Sequence, residues 1–151
     1  MNKKRIIYFT DLMLVPLFIL VLHTGIKLHI AGHGTDHDIW HYWAIFHIIT
    51  SLLFTIFGVM HVKHHWGCYK GLKTKGIKGK SKIILLLSFI LIPVIVTGVW
   101  LLCIEGANSS IGILHYQVGL MAGVLGILHI LKRWRFLVPR KKAVKLRSYK
   151  I

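Results

Sequence analysis

The sequence predicts an all-α fold: an integral membrane bundle of four helices with both termini cytoplasmic. Three observations carry this reading. The 151 residues are 55% hydrophobic with a mean hydropathy of +0.65, above the range of an ordinary water-soluble domain. Four apolar runs, at 6–28, 42–63, 83–104 and 111–131, each come close to the ~20 residues needed to cross a bilayer core. The basic residues gather in segments that a four-span topology places on one side. The runs fill most of the chain, so residues 1–151 form a single transmembrane domain.

The first run, 6–28, is too long for the apolar part of a signal peptide. It shows no A-x-A-like cleavage site and is followed by three more spans, so it is expected to be a retained helix. It carries Asp11 near its inner end, and His23 and Thr24-Gly25 in its outer part. The stretch "HIAGHGTDHDIWHYW" that follows is Gly- and His-rich, and Gly32 and Gly34 favour a solvated outer loop. The second run, 42–63, begins and ends near histidines His47 and His61. "GCYKGLKTKGIKGKSK" after it is Gly- and Lys-rich without apolar periodicity, which reads as a solvated connector beside lipid headgroups. The third run, 83–104, has Thr97-Gly98 near its outer end. The fourth, 111–131, holds His115 and His129. The basic tail 132–151 is expected on the cytoplasmic membrane surface, as short helix or coil.

A formal net charge of +16 invites a nucleic-acid reading, but its distribution argues against one. Three Lys or Arg stand at the N-terminus, seven from Lys63 to Lys82 and nine from Lys132 to Lys150, which leaves only Lys27 on the other side. There it is accompanied by Asp36, Asp38 and Glu105. This is the positive-inside pattern of a cell (inner) membrane protein, and anionic lipid accounts for the basic segments. Cys68 and Cys103 fall at opposite ends of the bundle and cannot pair within one chain. No C-x-x-C-H sequence is present, so any haem would be held without a covalent link.

The second and fourth runs align at an offset of 68: His47 with His115, Gly58 with Gly126, His61 with His129, Trp66 with Trp134. Thr24-Gly25 and Thr97-Gly98 are a fainter echo, so the chain reads as two helical hairpins of related design. Fourteen residues turn a helix about 1400° and raise it about 21 Å, so both histidines of a helix share one face, one toward each side of the membrane. Both helices run from outside to inside. His47 and His115 then share an outer level, and His61 and His129 an inner one. Paired imidazoles at one depth can supply both axial ligands of a haem iron, and two levels predict two b-type haems stacked across the bilayer.

Between the ligands, on the same stripe, lie Ser51, Thr55 and Gly58 in one helix and Gly119, Gly123 and Gly126 in the other. Small residues on membrane helices commonly serve helix packing. Here they also keep the ligand face clear for a flat macrocycle, and intramembrane histidines are functional by default. The closing Trp66 and Trp134 lie where interfacial anchors belong.

On these residues the chain resembles membrane b-type cytochromes. It is more closely similar to the flavinylation-associated cytochrome family, a small four-helix membrane domain. The likeness rests on Thr24-Gly25 at the end of the first run, the His47/His61 helix closing with Trp66, and the His115/His129 helix closing with Trp134. It implies electron transfer across the membrane, often to extracytoplasmic flavin-bearing partners. The extra loop histidines depart from that pattern, and the chain contains no flavin-binding domain of its own.

The expected function is therefore a di-haem cytochrome. It would link a quinol or cytoplasmic donor to an extracytoplasmic redox partner, with no substrate chemistry beyond quinol oxidation. His23 could replace an outer ligand, bond a propionate or line a quinone pocket. His29, His33, His37 and His41 recur every four residues; on a continuous helix they would form a metal-binding stripe, and in a loop a propionate contact or docking site. His64 and His65 suit inner propionate contacts, and Asp11 suits proton exchange with quinone or a pair with Lys or Arg. The rival class is a histidine-based proton or divalent-metal transporter without haem. Against it stand the missing midplane carboxylates and a small-residue stripe without a use. A purely structural membrane subunit is the third class, in which each histidine would be dispensable.

Overall fold

The computed structural model describes residues 2–75, 80–103 and 109–137, and all of its regular structure there is helical. Glu105, the end of the third predicted span at 104, and the tail from 138 lie outside the described residues. The elements are α1 (Lys3–Ala31), α2 (His37–His64), α3 (Trp66–Lys75), α4 (Lys80–Leu101) and α5 (Ser110–Leu137). Stretches of α1, α2, α4 and α5 are long and apolar enough to cross a membrane.

Burial is inverted relative to a water-soluble bundle. The apolar side chains face outward, with Phe89 74% exposed and Ile19 59% exposed. The interior is lined by Thr10, Thr24, Thr50 and Thr97, and Ala122 is the buried hydrophobic side chain among the described residues. Such a surface is stable only against lipid, so these helices are in contact with the membrane. Each buried threonine returns its hydroxyl to a carbonyl of its own helix: Thr10 to Ile6 at 2.9 Å, Thr24 to Leu20 at 2.8 Å, Thr50 to Phe46 at 2.9 Å and Thr97 to Pro93 at 2.6 Å. That leaves the hydroxyl oxygen able to accept from a neighbour.

Helix ends follow local capping rather than hydropathy. Asp36 accepts from the Asp38 and Ile39 amides at 3.0 and 3.1 Å and starts α2 at His37. The Gly32 amide closes α1 onto the Leu28 carbonyl. The outer connection is therefore short, and the expected long loop is corrected: His29 belongs to α1, His37 and His41 to α2, and only His33 lies in the turn. The inner connector is corrected too. Its first part is helix α3, which begins directly after His65, the C-cap of α2. Ser109 caps α5 by accepting from the Gly112 amide at 3.1 Å.

α1 packs along α2, α4 along α5, and α1 also touches α5. Among the described residues the backbones of α2 and α5 are not closely packed, and the slot between these two helices is spanned by histidine rings.

Candidate functional site

The four histidines meet across this slot in two pairs. The ring centres of His47 and His115 are 6.2 Å apart with planes at 78°. Those of His61 and His129 are 6.4 Å apart with planes at 89°. Two imidazoles bound to opposite sides of one metal ion, at about 2.0–2.1 Å per bond, have ring centres roughly 6.3–6.5 Å apart. Both pairs thus stand at the spacing of trans ligands of a single ion, and rotation of each ring about its bond leaves the angle between planes free.

At the first level, neighbouring helices hold both rings alike. His47 Nδ1 is 3.0 Å from the Thr24 hydroxyl, and His115 Nδ1 is 2.9 Å from the Thr97 hydroxyl. Since the threonine protons go to helix carbonyls, Nδ1 carries the hydrogen in each ring and Nε2 keeps its lone pair. That tautomer is the one a metal needs. The glycine after each threonine lets the ring lie close: a Cβ on Gly25 would be 3.1 Å from His47 Cε1, and one on Gly98 would be 3.1 Å from His115 Cε1. The Thr-Gly repeat, only a faint echo in sequence, is the seat of both rings.

The second level is built differently. His61 Nδ1 is 2.7 Å from Asp11 Oδ1, and His65 Nε2 is 3.1 Å from Asp11 Oδ2. Asp11 is half-buried on α1, and it pairs with two histidines, not with the Lys or Arg that is one of its two alternatives from sequence. The His61 and His65 rings are 4.6 Å apart. Nδ1 of His61, Nε2 of His65 and a carboxylate oxygen of Asp11 lie within 4.8 Å of one another, a set that can hold a metal ion. The 2.7 Å separation is that of a charge-assisted hydrogen bond, shorter than the roughly 3.3 Å edge between ligands around a tetrahedral ion with bonds near 2.0 Å.

The small residues divide by what they face. A Cβ on Gly58 or Gly119 would meet nothing within 4 Å, so both border open space. Gly123 and Gly126 are filled from α1: a Cβ there would come 2.9 Å from Leu22 and 2.6 Å from Phe18. Ser51 Oγ stands 3.5 Å from His47 Nε2, and Thr55 returns its hydroxyl to the Ser51 carbonyl at 2.8 Å.

His23 packs edge-on against Trp43 at 6.0 Å. His29 stacks on Tyr116 at 3.7 Å, tying the end of α1 to the residue beside His115. His37 and His41 lie parallel at 6.4 Å on α2. These outer histidines form no metal-holding group among the described residues. Two buried ring nitrogens of α2, Trp40 Nε1 and His64 Nδ1, have no hydrogen-bond partner among the described residues. Trp40 is seven residues before His47, almost two turns, and so on its face of α2.

No family model, curated protein or solved structure matches the chain.

Proposed function

We propose that this protein is a membrane cytochrome that holds two b-type haems and carries electrons across the bilayer. The observation that carries the reading is the pair of ring separations, 6.2 and 6.4 Å, at two levels of one slot. His47 and His115 would hold one haem, His61 and His129 the other. When bound, the haems supply one-electron redox chemistry.

The chain's own residues fit that task. Thr24, Thr97 and Asp11 fix the nitrogen each ring presents. Gly58 and Gly119 leave the slot clear. Ser51 and Thr55 stand between the levels on α2, while Gly123 and Gly126, filled by Leu22 and Phe18, seat α1 against α5. Trp40 Nε1 and His64 Nδ1 are unpaired buried donors suited to haem propionates at the two ends. His23, edge-on to Trp43, would be a candidate for a quinone or propionate contact. The Thr-Gly seats and the paired histidines keep the resemblance to the flavinylation-associated cytochromes. A quinol or cytoplasmic donor and an extracytoplasmic, flavin-bearing acceptor are the partners that resemblance implies. By the positive-inside pattern of the basic segments, both termini would lie on the cytoplasmic side of the cell membrane.

The test is a reduced-minus-oxidised spectrum of the full chain purified from haem-replete cells, with a haem count. Two b-type haems per chain are expected, and no b-type signal would sink the reading. The rival, a divalent-metal site without haem, draws support from the Asp11, His61 and His65 group. It predicts a stoichiometric bound metal and no visible spectrum.

A further inference from the structure

We infer that Asp11 makes the two haem levels electronically unequal, setting the His61/His129 level as the lower-potential site, so that downhill electron flow runs from that level to the His47/His115 level. The inference rests on the di-haem reading and supplies what that reading leaves open, the direction of transfer.

The two levels differ in what holds the ligand. At the first, both supporting groups are neutral hydroxyls, Thr24 and Thr97. At the second, His61 Nδ1–H is held by a carboxylate at 2.7 Å. A carboxylate drawing on the Nδ1 proton gives the ring more imidazolate character and raises the basicity of Nε2. A more basic axial ligand stabilises the oxidised, more positively charged iron over the reduced one, and the reduction potential falls.

The repeat shows that this feature belongs to one hairpin only. Aligning Thr24-Gly25 with Thr97-Gly98 places Ile84 of α4 at the position of Asp11. An isoleucine offers no acceptor. The first level is thus supported symmetrically, whereas the carboxylate at the second has no counterpart in the other half.

Charges nearby oppose the effect. Lys3, Lys4, Arg5, Lys63, Lys132 and Arg133 stand at the same end and favour the reduced state of that level, Arg133 through its charge on His129. The first five are exposed to water and headgroups, where charges are screened within about 8–10 Å, and Arg133 is half-exposed. The carboxylate is in direct contact with the ligand and only partly exposed, so its influence dominates. Sharing with His65 tempers Asp11 without removing it, since His65 Nε2 lies 3.1 Å from Oδ2 and 3.3 Å from Oδ1, both longer than the 2.7 Å contact with His61. Asp11 acts through His61 and is a positioning residue.

The experiment is a potentiometric titration of the detergent-purified full chain, followed at the b-haem absorbance. Two one-electron components are expected. Asp11→Asn should raise the lower one by at least tenfold in its reduction equilibrium, about 59 mV for one electron, and leave the higher one in place. Asp11→Glu retains a carboxylate and should keep the lower component low, including where the Asn variant loses a haem. Movement of the higher component in its place, no movement in an Asn variant that retains both haems, or a Glu variant whose lower component rises to meet the higher one would each overturn the proposal. Absence of any b-type spectrum in the unaltered chain is a separate result, and it overturns the haem reading itself.

Discussion

Thr24 and Thr97 matter more for which nitrogen they present than for holding the bundle together. A hydrogen bond between membrane helices contributes about 0.6 kcal/mol on average. Thr24→Val removes an acceptor from His47 Nδ1 and keeps the shape, so thermal stability in detergent should barely change. Haem retention should fall, because loss of such a supporting bond typically costs about 10–100-fold in metal affinity. Thr97→Val should behave alike, and a haem count after dilution separates the two effects. The pairing of the four histidines by level was legible from spacing alone, since period and pitch fix which residues share a face. Asp11 was not. Its pairing with His61 and His65 depends on the rotation of α1 against α2, which no single-helix pattern encodes, so the sequence left a quinone contact and a Lys or Arg pair open side by side.

At the scale of the helix, the glycines make distinct predictions. Gly58→Ala adds a methyl to open space, so the fold should be unaffected. If the slot takes a flat macrocycle, haem content should drop while melting in detergent stays constant. Gly126→Ala meets the Phe18 ring at 2.6 Å and should lower the melting temperature, with overpacking typically costing about 1–3 kcal/mol. Equal behaviour of the two variants would show that the glycines serve helix packing throughout. The four spans were readable from hydropathy, but their ends were not. Hydropathy marks the part of a helix that lies in lipid, while Asp36, Ser109 and the Gly32 amide decide where it starts or stops. For the same reason α3, a Gly- and Lys-bearing helix with little apolar character, was read as a connector.

The whole molecule supplies its own topology probes. Cys68 on α3 and Cys103 after α4 are both exposed, free thiols at opposite ends of the bundle. A membrane-impermeant maleimide added to intact cells or right-side-out vesicles should label Cys103 and spare Cys68 until the membrane is permeabilised. The reverse pattern would invert the assigned orientation. The two-hairpin design was visible as an offset in the sequence, and the matched Thr-Gly seats now give that offset a physical meaning. A dimer of identical hairpins would also place four histidines in two pairs, but any change to one hairpin would be copied into its mate. Two ligands of one ion would then always share the same supporting group. Joining both hairpins in one polypeptide lifts that constraint. It lets a carboxylate stand on α1 and an isoleucine at the matching position of α4, so that the two rings meeting at one level need not be supported alike.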